Sequence, residues 1–320
     1  MNRLARVGVA ALALASLAAP AFAGDKITVA KGQGFAWTFT PVDIGIEAGI
    51  WKKYGFDEVQ IVALAGDSKV QQAMFAGDIH FATAGGPGMA FSAKGAVSKA
   101  VAAFAGAPRN LAVAVAYDSK ITTLAGVRGK KLAVSTAGSL SDWLGKRIAI
   151  IEGWGPDGVI TVPMGAMEPR MSALRTGQID GMVMATEVVY ELEEKKQLKM
   201  LVNFGDLVKD FITHVIFARN DLIEKNPEMV QRFVNGFFAT LDWMRAHKAE
   251  TVAISARVLN STPAIVSRVY DEEMPMMSKD GMFDPKAVQF MAESFVEMGV
   301  LEKTPTADDI RTTRFVPARP

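Results

Sequence analysis

A hydroxyl-rich turn between a predicted strand and a predicted helix is the part of this sequence best suited to hold a small polar ligand. Residues 130–144 read KKLAVSTAGSLSDWL, in which the apolar spacing predicts a strand over 131–134 and a helix over 140–151. A helix that begins after such a turn has free backbone N–H groups at its first residues, and these bind anionic or polar groups. Gly138 allows close approach of a ligand, while Ser139 suits a helix N-cap as well as a ligand donor. The turn alone therefore leaves both roles open.

Strand and helix patterns alternate through the first hundred residues and predict an open α/β sheet. Predicted strands at 27–30, 59–64 and 79–82 alternate with predicted helices at 42–54 and 69–75. This order favours a largely parallel sheet with helices on its faces.

Two segments a hundred residues apart share one pattern and indicate two similar lobes. VQQAMFAGDIHFAT (70–83) and RMSALRTGQIDGMV (170–183) each describe a helix, a Gly stop and a buried strand. Because a solenoid needs at least three such units, the choice lies between two related α/β lobes and a chance recurrence. Apolar strands at 111–117 and 213–218 predict two crossings between the lobes. The predicted division is a signal peptide (1–23), the first part of lobe 1 (24–117), lobe 2 (118–212) and a return strand with a helical remainder of lobe 1 (213–320).

The first 23 residues have the organisation of a secretory signal peptide. Arg3 and Arg6 form a basic start, an apolar run follows from Val7 to Leu17, and residues 21–23 form an A-x-A cleavage site. The apolar run is too short for a membrane anchor, and a chain without Cys has no site for a lipid anchor. We therefore expect a periplasmic protein that is cleaved after Ala23.

The composition argues against several classes of function. The 320 residues hold 35 Lys and Arg against 34 Asp and Glu, whereas nucleic-acid-binding domains carry a basic excess. With three His and no Cys, the sequence has no zinc-ligand spacing, and it also lacks a GxSxG nucleophile elbow and a P-loop. We therefore expect a binding protein with no metal, no cofactor, no catalytic residue and no nucleic-acid partner.

Four blocks of sequence, in their order and spacing, resemble a known family. They read PVDIGIEAGIWKKYGFDEVQIV (41–62), GKKLAVSTAGSLSDWL (129–144), SALRTGQIDGMV (172–183) and ARNDLIEKNPEMVQRFV (218–234). The chain resembles the periplasmic solute-binding proteins of ABC importers, of the nitrate/sulfonate/taurine and thiamine-pyrimidine-precursor binding family. The resemblance implies a type II periplasmic-binding-protein fold. In this fold two α/β lobes, each an open and mostly parallel sheet flanked by helices, are joined by two crossing strands.

The resemblance also implies where the solute binds. Ligands of open α/β sheets bind beyond the carboxyl ends of the strands, which here are the turns at 35–39, 65–68, 83–88, 135–139, 164–168 and 185–187. From four of these turns the resemblance implies ligand-binding roles for Trp37, Thr38, Gly85, Gly86, Thr136, Gly138, Ser139 and Glu187.

Several of these residues also have a purely structural interpretation. Trp37 suits a lobe-surface aromatic, and Glu187 suits a carboxylate at the start of a helix. Glu187 also departs from the family pattern, in which Pro often follows the acidic residue, because Val188 follows here. His214 and Arg109 lie beside the predicted crossings, and the sequence leaves open whether they contact solute.

The function that the resemblance implies is the substrate-binding component of an ABC importer. A monomer would capture a small organic solute, such as a sulfonate, an aromatic carboxylate or a pyrimidine-like compound, and deliver it to a permease in the inner membrane. Enzyme relatives that make the thiamine pyrimidine carry a cysteine-rich iron motif, which a chain without Cys lacks. The alternative is a periplasmic ligand-sensing protein that docks on a chemoreceptor or sensor kinase.

Overall fold

The computed structural model describes residues 24–155 and 157–320, so the predicted signal peptide lies outside the described residues. The strands in this part of the chain are β1 (Asp25–Lys31), β2 (Phe56–Ala63), β3 (Phe81–Gly85), β4 (Ser98–Ala105), β5 (Leu111–Ala116), β6 (Lys131–Val134), β7 (Ile160–Pro163), β8 (Gly181–Ala185), β9 (Leu198–Asn203) and β10 (His214–Arg219).

The helices of the first two-thirds of the chain are mostly short: α1 (Pro41–Glu47), α2 (Ile50–Lys53), α3 (Asp67–Ala76), α4 (Met89–Ala93), α5 (Leu140–Ile151), α6 (Met167–Arg175), α7 (Thr186–Glu194) and α8 (Phe204–Leu207). The C-terminal third is helical: α9 (Asn220–Lys225), α10 (Pro227–Ala246), α11 (Lys248–Leu259), α12 (Pro263–Glu273), α13 (Pro285–Glu297) and α14 (Ala307–Ile310). No helix among the described residues is both long enough and apolar enough to span a bilayer.

Two five-stranded sheets share one arrangement. The first has the order β2-β1-β3-β10-β4 and the second the order β7-β6-β8-β5-β9. In each sheet the fourth position holds the one antiparallel strand, β10 in the first and β5 in the second. The remaining pairs, β1 with β2 and β3, and β6 with β7 and β8, are parallel. The expected fold of two α/β units with mostly parallel sheets is confirmed.

The repeated sequence pattern corresponds to equivalent places in the two sheets. α3 leads into β3 and α6 leads into β8, and each of these strands is third in its sheet. The two matching glycines follow their helices in left-handed conformations, Gly77 at φ 100° and Gly177 at φ 70°. A residue with a Cβ is strained there, so Gly is the natural stop at both positions.

The first predicted lobe boundary, after residue 117, needs correction. Strand β5 belongs wholly to the second sheet, where it pairs with β8 on one side and β9 on the other. The backbone N–H and C=O groups of a buried strand need hydrogen-bond partners, and β5 finds them in the strands on either side of it. The chain therefore crosses at residues 106–110 and again at 208–213. Lobe 1 denotes residues 24–105 and 214–320 below, and lobe 2 denotes residues 111–207.

The predicted single helix over 42–54 is two helices, α1 and α2. Gly49 separates them with a left-handed φ of 66°, a conformation that interrupts a right-handed helix. The break turns α2 back on α1, and the Trp51 Nε1–H donates to the carbonyl of Val42 at 2.9 Å. The indole thereby closes the corner and is buried.

The C-terminal helices complete lobe 1 and also touch lobe 2. Phe233 of α10 stacks on Phe81 of β3 with ring centroids 4.0 Å apart, so this helix packs directly on the first sheet. Farther along, the Trp143 Nε1–H of α5 donates to Ser294 Oγ of α13 at 3.0 Å. The tail therefore spans the boundary between the lobes on the side of α5.

Candidate functional site

A cavity lies between the lobes, where the carboxyl ends of the strands of both sheets meet. It encloses about 480 Å³, counting the part that opens to solvent. Five of the six turns expected to surround a ligand contribute to its wall; the turn at 164–168 does not. The lining residues are Gly32, Gln33, Phe35, Ala36, Phe39, Gly66, Asp67, Gly85 and His214 from lobe 1, Asn110 from the first crossing, and Leu111, Ser135, Leu140, Ser141, Arg170, Val183, Met184 and Ala185 from lobe 2.

The aromatic wall of the cavity is formed by Phe35 and Phe39, which flank the expected Trp37. Residues 37–39 form a short 3₁₀ turn. Because residues three apart share one side of a 3₁₀ turn, Ala36 and Phe39 face the cavity together and Trp37 faces away. Its fully buried indole packs edge-on against Tyr270, with ring centroids 5.8 Å apart.

Thr38 lies behind the cavity wall and is hydrogen-bonded to two buried residues of that wall, Asn110 and His214. The Asn110 side-chain amide donates to Thr38 Oγ1 at 3.2 Å and lies 2.9 Å from His214 Nε2. The His214 ring packs between Phe39 and Phe104, with centroid separations of 4.6 and 5.4 Å. Burial lowers the pKa of His214 to about 3, so the ring is neutral at neutral pH. His214 therefore lines the cavity as an uncharged, hydrogen-bonded side chain.

The hydroxyl-rich turn divides between the cavity and the lobe interface. Ser139 caps helix α5, its Oγ accepting from the Asp142 N–H, and it lies behind the wall. The hydroxyls that line the cavity are those of Ser135 and Ser141, and the Ser135 Oγ–H donates to Ser139 Oγ at 2.8 Å.

Thr136 and Gly138 face lobe 1 directly instead of the cavity. A Cβ built on Gly66 of lobe 1 would lie 2.5 Å from Thr136 Oγ1, and one built on Gly138 would lie 3.3 Å from the Phe91 ring. Gly138 has a left-handed φ of 73°, so Gly suits this turn for conformational reasons as well.

Gly85 and Gly86 lack side chains, which allows Asp67 to lie close to Gly85 and the Ile212 backbone to lie close to Gly86. The Gly85 N–H donates to Asp67 Oδ1 at 2.8 Å and the residue lines the cavity. A Cβ on Gly86 would overlap the carbonyl oxygen of Ile212 in the second crossing. Of the eight predicted residues, Gly85 alone lines the cavity, and the others lie in the turns around it.

Glu187 lies at the start of α7 and is buried at the lobe boundary. Its Oε1 accepts from the Trp37 backbone N–H of lobe 1, while its Oε2 has no hydrogen-bond partner among the described residues. Burial raises the pKa of Glu187 to about 7. The nearby Glu273 of lobe 1 is also buried and has a pKa raised well above its usual value, first by burial and then by the charge of Glu187.

Two charged residues in the cavity wall, Arg170 and Asp67, were not predicted from the sequence. Arg170 is 2% exposed, and burial lowers its pKa to about 10. The sequence did contain an indication that Arg170 is buried. It precedes Ala173 and Leu174 by three and four residues and so lies on the apolar face of α6. Asp67 opens helix α3, where an acidic residue has an ordinary role at the helix start, and nothing in its spacing indicated otherwise.

No cluster of three or more potential metal ligands among His, Asp and Glu occurs in residues 24–155 and 157–320. Arg109, at the first crossing, is not part of the cavity wall. Its backbone carbonyl accepts from the Asn203 side-chain amide at 2.8 Å.

Comparisons with known proteins agree with this architecture. The family model described as NMT1/THI5 like matches residues 37–251. A Brucella abortus (strain 2308) protein, provisionally named a binding protein, is 24% identical over 315 aligned residues, covering 91% of this chain and 92% of that protein.

Solved structures share the fold. The alkanesulfonate-binding protein of Xanthomonas axonopodis pv. citri, bound to MOPS, superposes with a TM-score of 0.75 at 15% identity, over 88% of this chain and 95% of its own. A desulfurization enzyme superposes with a TM-score of 0.60 at 15% identity, over 91% of this chain and 97% of its own. One fold therefore serves both a binding protein and an enzyme.

Proposed function

This chain belongs to the NMT1/THI5-like family, and we propose that it is the periplasmic solute-binding component of an ABC-type importer. In this role it captures a small organic solute between its lobes and delivers it to a permease in the inner membrane. The observation that carries the proposal is the cavity, whose walls come from two lobes joined by two crossings. The names of the Brucella relative and of the Xanthomonas neighbour support a binding role.

Contacts between the lobes supply the closing device that such a role needs. Asp67 of lobe 1 accepts from the Leu140 N–H of lobe 2 at 2.8 Å, and Glu187 of lobe 2 accepts from the Trp37 N–H of lobe 1. These hydrogen bonds exist only when the lobes are together. A solute that touches both walls adds its contacts to the same closed state and so shifts the population towards it.

The wall composition favours an organic solute over a bare inorganic ion. Phe35, Phe39, Leu111, Leu140 and Met184 provide apolar surface, with a few polar groups set among them. Such a lining is typical of sites for small organic molecules, in which apolar area supplies affinity and the polar groups fix orientation. Sulfonates, aromatic carboxylates and pyrimidine-like compounds are the classes we put forward.

A thermal-shift screen of residues 24–320 against sulfonates, aromatic carboxylates, pyrimidines and amines tests the binding role. We expect one class to raise the melting temperature, since a ligand at a hundred times its Kd adds about 2.7 kcal/mol of stability. A panel in which no class shifts the melting curve would count against solute capture. Uptake of a labelled hit by cells that lack the gene tests delivery: uptake should be lost, whereas intact uptake with a lost chemotactic response would indicate a sensing protein.

The shared fold with a desulfurization enzyme favours catalysis at the same cavity as the second candidate. Within the cavity wall, His214 is neutral and tied to Asn110, and the chain has no Cys to act as a nucleophile. We therefore expect a hit from the screen to be recovered unchanged after long incubation with the protein. Release of a product, followed by NMR, would instead favour the enzyme.

A further inference from the structure

The cavity wall holds the buried positive charge of Arg170, which forms no ion pair with any residue that the structure describes. The guanidinium of Arg170 donates to the carbonyls of Gly165 and Val183, at 2.6 and 3.3 Å, and its Nε–H has no partner in residues 24–155 and 157–320. No carboxylate among the described residues lies within 4 Å of it. An Arg side chain has five N–H donors, so several remain for another acceptor. A buried cation without a counter-charge is costly, and an anion that enters the cavity would remove that cost.

A carboxyl group in the same wall, that of Asp67, occupies the place where an anion would otherwise bind. Burial raises the pKa of Asp67, and the backbone N–H groups of Gly85 and Leu140 oppose that rise by stabilising its charged form. The Asp67 carboxylate accepts from the N–H of Leu140, the first residue of the 12-residue helix α5, and from the Gly85 N–H, each at 2.8 Å. A Cβ on Gly85 would lie 2.5 Å from Asp67 Oδ2, so the absent side chain makes room for this carboxylate. The helix N-terminus that the sequence marks as an anion site is therefore already filled by a side chain from the opposite lobe.

The two charges together define which acid groups the cavity accepts. An acid group placed against α5 would meet the carboxylate of Asp67, and like charges at close range in a buried site repel strongly. An acid group placed against Arg170 meets an opposite charge with free, fork-shaped donors that suit carboxylate or sulfonate oxygens. The cavity has one place for an acid group and one that rejects it.

We propose that Arg170 holds the acid group of a small monoanionic organic solute, and that Asp67 excludes a second acid group. The protein then selects monoanions over their neutral analogues and over dianions of the same skeleton. This inference rests on the proposed solute-binding function and names the solute class for that same cavity.

Calorimetric titration of the wild-type protein with two matched probe series tests the selectivity. One series is propane-1-sulfonate, its sulfonamide and propane-1,3-disulfonate; the other is benzoate, benzamide and phthalate. We expect at least one monoanion to bind at least tenfold more tightly than the amide and the dianion of its series. Wild-type protein that binds no monoanion, or that binds an amide as well as its acid, overturns the proposal. In either case, binding of a neutral amide, or of an amine from the thermal-shift screen, would still support the proposed solute-binding function.

Three variants assign the selectivity to the two residues. Arg170→Gln should weaken monoanion binding about 100-fold, and Arg170→Lys, which keeps the charge but not the fork, should weaken it less. Asp67→Asn should strengthen dianion binding at least tenfold. Arg175→Gln, an exposed residue of the same helix α6, is the matched control and should leave all affinities unchanged.

Circular dichroism and apo melting curves separate a binding role from a structural one. Arg170 could serve only to hold Gly165 and Val183 together through its hydrogen bonds to their carbonyls. In that case Arg170→Gln will lower the melting temperature of the ligand-free protein, and a folded Arg170→Lys will bind the amide and the acid equally. That result overturns the proposal. Dianion binding that stays unchanged in Asp67→Asn overturns the part assigned to Asp67.

Discussion

The carboxylate of Glu187 in lobe 2 accepts a hydrogen bond from the backbone N–H of Trp37 in lobe 1, so an acidic side chain fastens one lobe to the other. Glu273 of lobe 1 is buried close by, and its Oε1 accepts from the Thr186 hydroxyl at 2.6 Å. Each of the two acids has one carboxyl oxygen without a hydrogen-bond partner in the part of the chain that the structure describes. Two carboxylates buried together repel, and burial already disfavours their charged forms. The lobe boundary therefore contains a proton-binding pair.

The Glu187 carboxyl should make the folded protein lose stability as the pH rises. Its pKa is about 7 in the folded state, above its ordinary value of 4.5, so the folded protein binds the extra proton between these values. The stabilising contribution is full below about pH 4.5 and is lost as the pH rises through 7. Glu187→Gln removes this proton-binding group. Between pH 5 and pH 8 we therefore expect the variant to lose roughly 2–3 kcal/mol less unfolding free energy than the wild type. Urea unfolding at four pH values measures it. Glu194→Gln, exposed on the same helix, is the control, and parallel curves for wild type and Glu187→Gln would contradict the prediction.

The buried His214 should act in the opposite sense and weaken the fold in acid. Its pKa of about 3 in the folded state lies below the ordinary value of 6.5, so the unfolded chain binds the extra proton between these values. Stability therefore falls as the pH drops from 6.5 towards 3. As the pH falls from 7 to 5, we expect the unfolding free energy of His214→Gln to decrease by about 2 kcal/mol less than that of the wild type. Unfolding curves at the two pH values measure the difference, with the partly exposed His247→Gln as the control. Equal losses in wild type and His214→Gln would show that the ring does not stay neutral.

A methyl group at Gly86 should disrupt the second crossing. The added Cβ would overlap the carbonyl oxygen of Ile212, a backbone atom that cannot rotate aside. We expect Gly86→Ala to cost about 3 kcal/mol of unfolding free energy. Gly106→Ala, at the other crossing, is the matched control, because its Cβ would have the Met276 carbonyl oxygen as nearest neighbour at 3.8 Å. That variant should be neutral or slightly stabilising. Similar unfolding energies for both variants would contradict the predicted overlap.

The Trp37 indole should matter for stability more than for contact with solute. It is fully buried against Tyr270 and absent from the cavity wall. Trp37→Ala should cost about 3–5 kcal/mol, the usual penalty for emptying a large aromatic site. Trp37→Phe should cost less and should leave solute affinity within about threefold of wild type, because the hydrogen bond to Glu187 comes from the backbone. A folded Trp37→Phe that loses affinity tenfold or more would place the indole in the binding site after all.

The sequence by itself determined the local elements and their class. The strand at 131–134, the helix at 140–151 and the turns beyond the strand ends follow from apolar spacing and from turn residues, which act over a few neighbouring positions. The repeat of helix, Gly and strand indicated two related lobes for the same reason.

Only the tertiary structure decided which residue of each turn faces the cavity and which sheet a buried strand joins. Trp37 and Phe39 differ only by a rotation within a 3₁₀ turn, and β5 is as apolar as a strand of either lobe would be. The contact between Asp67 and Leu140 joins positions 73 residues apart. Arg170 is a candidate binding residue only because it lines a cavity that both lobes enclose. Such relationships depend on how surfaces that are distant in sequence pack together, and the local spacing of residues does not determine that packing.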